Sequence, residues 1–349
     1  VNICVTGGCG FIGSRFCQHL VGAGHTVTVL DLAEPDRESG IPAEQIRFVQ
    51  GDVRDPDALR DAFDGCEMVI HLAAAHHDFG IADETYFSVN EHAAKTICDI
   101  MEQRDISKVC FYSTVAVYGS APLPHDENAD TRPETPYGAS KLAGEKIFKH
   151  WAEQDTGRRA LVIRPTVTFG PHNFANMYSL IRQIHNGKYL HVGPGSNIKS
   201  LAYIDNILDA TMFLMNRDHA PAFDVFNYVD KPDLTSREIA ETIFEALGKK
   251  PPLFGVPMWV ARGLVLPFDI VIALTGKNIA ISGARVKKLF ATQTKFEADK
   301  VREAGFEARV PLREGIRRMV QWYVDEGRHQ SVEWRLPPAE PRTLAGAAR

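Results

Sequence analysis

The chain has 349 residues, 44% of them hydrophobic and 24% charged, with 39 Lys and Arg against 44 Asp and Glu for a net charge of -5. That balance excludes a collagen, a coiled coil and a disordered chain, and the length asks for two domains or one large α/β unit with a smaller attachment. No run of like charge is present, so nucleic acid is not an expected partner.

The first half alternates short β-branched runs with amphipathic stretches, which predicts strands over Asn2–Thr6, Thr26–Asp31, Ile46–Gln50, Met68–Leu72, Lys108–Ser113 and Ala160–Arg164. Strands and helices in βαβ order predict an α/β fold, a doubly wound (Rossmann) parallel sheet. Past Arg164 the rhythm breaks into loops rich in Gly, Pro, His and Asn, then resumes as a helix over Met177–Asn186, a strand over Asp224–Tyr228 and helices over Ser236–Leu247 and Leu312–Glu326. The apolar run Val256–Thr275 is interrupted by Arg262, Pro267 and Asp269, so it is not a membrane span. It reads as core helices, with a cover over a greasy substrate as the other reading. The six cysteines (Cys4, Cys9, Cys17, Cys66, Cys98, Cys110) form no CxxC pair and fall in apolar patterns, as in a reducing compartment. The chain opens on an apolar strand pattern, not a basic leader, and a cytoplasmic location is the expectation.

Between the first strand and a helix running to about Gly22 stands Gly7-Gly8-Cys9-Gly10-Phe11-Ile12-Gly13. Gly7 or Gly8, with Gly10 and Gly13, supplies the tight turn and close helix packing that let backbone N–H groups around Phe11 and Ile12 meet a pyrophosphate at a helix N-terminus. Asp31, with Leu32 beside it, ends the second strand, where a carboxylate accepts hydrogen bonds from adenosine ribose hydroxyls. Its charge favours NAD over NADP, although Arg37 nearby leaves NADP open. Asp52, in Gly51-Asp52-Val53, is placed to reach the adenine amino group with Val53 against the ring. A metal reading of His76-His77-Asp78 is rejected, because adjacent ligands fit a tetrahedral site poorly and no third ligand follows at helical spacing.

Tyr137 and Lys141 lie one helical turn apart in Pro136-Tyr137-Gly138-Ala139-Ser140-Lys141, with the proline suited to a first helical turn. A phenol with a pKa near ~10 becomes a useful base only beside cations, which Lys141 and an oxidised nicotinamide would supply. The segment Phe111-Tyr112-Ser113-Thr114 delivers hydroxyls to a strand end, where open α/β sheets bind ligands.

Taken together, the blocks TGGCGFIG (Thr6 to Gly13), GDV (Gly51 to Val53), HLAA (His71 to Ala74), VN (Val89, Asn90), STVAVYG (Ser113 to Gly119), PYGASK (Pro136 to Lys141), RPTVTFGP (Arg164 to Pro171) and AYIDNI (Ala202 to Ile207) carry a resemblance. Over about residues 1–330 the sequence resembles the extended short-chain dehydrogenase/reductases, and within them the NAD-dependent nucleotide-sugar epimerase/dehydratase family. The resemblance implies NAD as cofactor, Tyr137 as catalytic base, Lys141 on the nicotinamide ribose, and Thr114 as the active-site hydroxyl with Ser113 beside it. It further implies Leu72, Ala73 and Ala74 along the cofactor path, His76 near cofactor or substrate, Pro165 near the nicotinamide, and a homodimer. On this basis 1–165, with a returning segment about 198–230, is the expected NAD-binding domain. Residues 166–197 and 231–330 form the smaller, mixed substrate domain, and 331–349 a loosely ordered tail.

Departures from the family pattern narrow the chemistry. Val115 and Ala116 stand where 4,6-dehydratases carry an Asp-Glu pair, which argues against water elimination. Val167 replaces the Asn of the RPxN block, Lys199 the Arg of the RDYxxV-like block, and no R-x-GD block is recognisable around Arg285 to Gln293. Lys199, Arg182 and Arg285 are the candidate phosphate partners. The expected reaction is oxidation of a hydroxyl on a nucleotide-linked sugar, as in a 4-epimerase. A 3β-hydroxysteroid-type dehydrogenase with net NADH release is the rival, and a non-catalytic NAD sensor is opposed by the intact Tyr137, Lys141 and Thr114 set.

Overall fold

Alternating apolar and polar character resolves into eleven strands among the described residues of the computed structural model, which are 1–35, 40–76, 80–252, 255–257, 259–260, 294–330 and 338–340. These strands are β1 (Asn2–Thr6), β2 (Thr26–Asp31), β3 (Ile46–Gln50), β4 (Met68–His71), β5 (Lys108–Tyr112), β6 (Arg159–Pro165), β7 (Val167–Phe169), β8 (Ile198–Lys199), β9 (Leu201–Tyr203), β10 (Phe223–Tyr228) and β11 (Leu234–Thr235). Arg37, His77, Asp78, Arg285 and most of the apolar run Val256–Thr275 lie outside the described residues.

Seven strands form one sheet in the order β10-β6-β5-β4-β1-β2-β3, and every pairing is parallel. Parallel strands covered on both faces must be apolar throughout, and four successive buried residues in β1, β2, β4 and β5 meet that demand. The doubly wound sheet predicted from the βαβ rhythm is therefore present. Two predicted strands end one residue early. Leu72 still donates to the Thr6 carbonyl and Ser113 to that of Ile163, but both then turn out of the ladder at the sheet's C-terminal edge. The strand expected at Asp224–Tyr228 becomes the outer neighbour of β6, pairing Tyr228 with Pro165.

The helices are α1 (Phe11–Gly22), α2 (Pro56–Ala62), α3 (Asp83–Phe87), α4 (Ala93–Gln103), α5 (Pro136–Glu153), α6 (Asn176–His185), α7 (Ile204–Met215), α8 (Ser236–Ala246), α9 (Asp299–Glu303) and α10 (Leu312–Trp322). A wide turn at Ser88–His92 joins α3 to α4, and a second at Tyr323–Gly327 ends the helix expected to run to Glu326. No described helix is long and apolar enough to cross a membrane.

Because successive strand residues point to opposite faces, the core has two parts. Ile3, Val5, Val29 and Ile70 pack with α1, α6, α7, α8 and α10, while Cys4, Leu30, Val69 and Phe111 pack with α2, α4 and α5. The first part runs without a break into the C-terminal helices, so those helices and the sheet share apolar packing.

One polar joint crosses the second layer. The Glu145 carboxylate on α5 accepts two hydrogen bonds from Arg164 on β6, at 2.9 and 2.6 Å, and both side chains are under one-tenth exposed. Arg164 also donates to the Tyr118 hydroxyl, which donates to Asn227 on β10. Removing one member of such a pair strands a buried charge, at a cost of about 3–5 kcal/mol, whereas replacing both with apolar groups is far milder. Glu145→Leu or Arg164→Met alone is expected to lower the urea midpoint sharply, and the double variant to recover most of it, as read by circular dichroism.

Candidate active site

The site is built where strand order reverses. From β1 the chain winds outward through β2 and β3, and from β4 it winds the other way, so a crevice opens beyond the C-terminal ends of β1 and β4. Gly7 turns there with φ +71°, and a Cβ on it would fall 2.6 Å from the Ala73 nitrogen; one on Gly13 would fall 2.6 Å from the Gly8 Cα. Only glycine lets loop, β4 end and α1 approach so closely. Gly10 N–H donates to Gly7 O at 3.1 Å, and no side chain caps α1. The first N–H groups of that helix, at Phe11, Ile12 and Gly13, therefore face the crevice end without a capping side chain, which fits the pyrophosphate of a dinucleotide.

Asp31 is oriented by the loop it serves. Its carboxylate accepts from Cys9 N–H at 2.9 Å and Ala33 N–H at 3.1 Å, fixing it between the glycine turn and the end of β2 beside the exposed Leu32. Asp52 has a partner that its sequence context does not announce. Arg54 holds it through both carboxylate oxygens, at 3.0 and 2.6 Å, and also donates to Ser88 Oγ and to the carbonyl of Ala339. Val53 beneath it is buried. Ala339, in the expected loose tail, thus reaches the Asp52 turn through its carbonyl.

The catalytic candidates are delivered by α5. Thr135 caps the helix by accepting from Gly138 N–H, Pro136 occupies its first turn, and Tyr137 and Lys141 follow on one face. Two glycines bring the helix close: a Cβ on Gly138 would meet the Ala116 carbonyl at 2.7 Å, and one on Gly144 the Asn90 carbonyl at 2.6 Å. Gly138 therefore seats the start of α5 against the short turn Val115–Val117. Thr114 caps that turn, its Oγ1 accepting from Ala116 N–H at 3.1 Å. Ser113 Oγ is buried without a hydrogen-bond partner. Tyr137 is half-buried against Tyr86, their ring centroids 6.4 Å apart.

Lys141 is 1% exposed, and its ammonium lies 4.2 Å from the centroid of Phe111, which stacks on His71. Burial lowers the lysine pKa from 10.5 to about 7, the attraction of Glu145 opposing it. His71 is driven down to about 3, first by burial and then by the charge of Lys141, so it stays neutral at physiological pH. Its Nδ1 shares a 2.7 Å hydrogen bond with Thr6 Oγ1, and its Nε2 has no partner among the described residues.

Sequence reasoning missed the bracket that joins these parts. Asn90 accepts from Ala75 N–H and donates both to Ala75 O and to Ser140 Oγ, which in turn donates to the Tyr137 carbonyl. The β4 loop of Leu72, Ala73 and Ala74 is thereby tied to the turn of α5 that bears Tyr137. The VN block was the visible signal, but without the wide turn at Ser88–His92 nothing indicated that Asn90 faces inward.

Other candidates are dispersed. His76 is exposed, its Nδ1 3.2 Å from Ala74 O, and Pro165 ends β6 opposite Tyr228. Lys199 lies in the small β8–β11 pair, and the Arg182 guanidinium sits over the ring of Tyr178 on α6. Val167 is half exposed. Among the described residues no group of three His, Cys, Asp or Glu side chains is arranged to hold a metal ion.

A doubly wound sheet with an uncapped glycine turn, a carboxylate held at the end of β2 and a Tyr-Lys helix face defines a dinucleotide-dependent α/β enzyme. The chain belongs to the NAD dependent epimerase/dehydratase family, whose model matches residues 3–228. A relative from Escherichia coli O157:H7, the N-acetyl-alpha-D-glucosaminyl-diphospho-ditrans,octacis-undecaprenol 4-epimerase, is 35% identical over 322 residues, covering 92% of this chain and 95% of its own. The UDP-glucose 4-epimerase of Streptomyces lividans is 27% identical over 72% of this chain and 83% of its own. Among solved structures, the UDP-glucose 4-epimerase of Thermotoga maritima with UDP-glucose shares the fold at a TM-score of 0.73, with 21% identity over 93% of this chain and 99% of its own.

Two tests follow from this geometry. Gly13→Ala forces its methyl against the backbone of the glycine turn and is expected to weaken NAD binding at least about tenfold and to lower stability as well, the first measured by fluorescence titration and the second by urea denaturation. For Lys141 the unfolded chain keeps its proton up to about pH 10 while the folded chain releases it near 7. Between those values the unfolded state holds more protons, so stability of the cofactor-free protein rises with pH there, and Lys141→Met is expected to flatten the slope in urea titrations at about pH 7 and about pH 9.

Proposed function

We propose that the protein is an NAD-dependent 4-epimerase acting on a sugar carried by a diphosphate. The observation that carries the reading is the nearly inaccessible Lys141 ammonium, one turn from Tyr137 on a helix seated against the Thr114 turn. A buried lysine with a strongly lowered pKa is costly to keep and is characteristic of a working site.

In this reading the first N–H groups of α1 hold the pyrophosphate, Asp31 the adenosine ribose, Asp52 with Val53 the adenine, and Lys141 the nicotinamide ribose. NAD bound there supplies the acceptor and later the donor of the hydride. Tyr137 takes the C4 hydroxyl proton as a phenolate and returns one at the end. Thr114 orients that hydroxyl, and Lys141 stabilises the phenolate by its charge. The 4-keto sugar turns its other face within the site, and no net redox change results. Val115 and Ala116 provide no acid or base for elimination, which supports epimerisation over dehydration.

The carrier on the diphosphate is the open specificity. The family blocks favour a nucleotide. A polyprenol is favoured by the name of the 35% relative and by Val167 and Lys199 at positions where nucleotide-sugar members hold Asn and Arg. We assign the polyprenyl carrier on that balance. Residues 166–197 and 231–330 then form the substrate side and 1–165 with 198–230 the cofactor side. A homodimer and action from the cytoplasm complete the reading, the latter supported by six buried cysteines, none of them in a disulfide.

The test is to incubate the holoenzyme with polyprenyl-diphospho-N-acetylglucosamine and with UDP-N-acetylglucosamine, reading products by NMR. Inversion at C4 of the polyprenyl compound without net NADH is expected, and Tyr137→Phe should lower turnover by about 10²–10⁴. Accumulating NADH would instead favour the dehydrogenase reading, and an unchanged Tyr137→Phe enzyme would remove Tyr137 from the chemistry.

A further inference from the structure

We propose that the corner formed by the ends of α6 and α8 and the strap around Val256 docks on an anionic lipid bilayer, an inference that rests on the polyprenyl reading of the substrate. The two most exposed large apolar side chains among the described residues are Trp259, at 76%, and Leu190, at 66%. They leave the same local pairing. Val192 bridges Val256, with Val256 N–H donating to His191 O at 2.7 Å and Gly193 N–H to Val256 O at 2.9 Å. Leu190 precedes that bridge by two residues, and Trp259 follows it by three.

The same corner is cationic. α6 ends at His185 and runs through Gly187 into the exposed Lys188, and α8 ends at Ala246 and runs through Gly248 into the exposed Lys249 and Lys250. Lys249 Nζ donates to the His185 carbonyl, so both helix ends and their lysines belong to one surface. Of the carboxylates on the last turns of α8, Glu245 is engaged by Arg317 of α10, and Glu241 lines a small cleft with Arg237.

An exposed tryptophan beside lysines is the combination that bilayer interfaces select. The indole sits at headgroup depth, and each lysine near an anionic surface contributes about a fivefold gain in partition. A water-soluble protein partner would ask for a larger continuous apolar patch than two separated side chains. A polyprenyl diphosphate is confined to the bilayer by its tail, so an enzyme that takes its sugar has reason to rest on that surface.

Flotation of the holoenzyme with vesicles of phosphatidylethanolamine and phosphatidylglycerol, against vesicles of phosphatidylcholine alone, tests this. The protein should float with the anionic vesicles at low salt and be released as salt rises. Trp259→Ala should weaken partition about tenfold, and Lys188→Glu with Lys250→Glu at least about fivefold per site. Turnover of a short-chain, water-soluble diphospho-sugar should stay unchanged in both variants, with circular dichroism confirming that they fold. The inference is overturned if the wild-type protein stays with the lipid-free fraction at low salt, or if both variants float as well as it does. If the protein floats as expected but epimerises neither carrier's sugar, the docking surface stands and the functional reading falls; epimerisation without flotation has the opposite meaning.

Discussion

An ammonium enclosed by protein is the constraint around which this molecule is organised. Lys141 needs a site without water, yet its charge must be tolerated there, and the fold meets both demands with the π face of Phe111 and the more distant carboxylate of Glu145. Each of those partners is committed elsewhere. Phe111 stacks on His71, and Glu145 is fastened by Arg164 to β6. The helix bearing Tyr137 is thereby fixed to two strands of the sheet, and the position of a reactive group becomes a consequence of core packing.

How much of this was legible depended on whether a feature is local in the chain. β1 and β2 fall where their apolar runs and turn residues put them, because a buried parallel strand advertises itself within five or six residues, and the edge strand β3, with only Val49 buried, is bounded by the same turn chemistry. The glycine turn and the Tyr-Lys spacing are equally local. The two-residue strands β8 and β11 carry no periodicity of their own, since they exist only as each other's partners. His71, Asn90 and Ser140 looked like ordinary members of family blocks, and only the tertiary arrangement shows that they connect the β4 loop to the Tyr137 turn. Arg54 carries no signal of its own in the sequence beyond following the Gly51-Asp52-Val53 block. The bidentate pair instead makes that carboxylate part of a larger assembly reaching Ser88 and Ala339.

The departures from the family pattern now read as a coherent set. The groups nearest the chemistry, Tyr137, Lys141 and Thr114, are intact. The changes lie at Val115, Ala116, Val167 and Lys199, positions that the family resemblance associates with elimination and phosphate contact. An enzyme that kept its redox centre while altering what holds the far end of its substrate would change in this order. Energetically this is reasonable, because the helix bearing Tyr137 and Lys141 is fastened by the buried joint of α5 and β6, whereas Val167 is half exposed and Lys199 sits in a two-residue strand.

Epimerisation also separates two mechanical requirements within one substrate. The sugar ring has to present first one face and then the other to a fixed phenol, so its immediate surroundings must release it, while the diphosphate and its carrier must keep it from leaving. A nucleotide carrier meets the second requirement with contacts inside the protein. A polyprenyl carrier meets it differently, since its tail stays in the bilayer and retention depends on how long the protein remains at that surface. In the proposed reading a less extensive phosphate grip and an exposed, cationic, tryptophan-bearing corner are complementary: residence at the membrane would do for a lipid-linked sugar what a tight nucleotide pocket does for a soluble one, and would leave the ring free to turn.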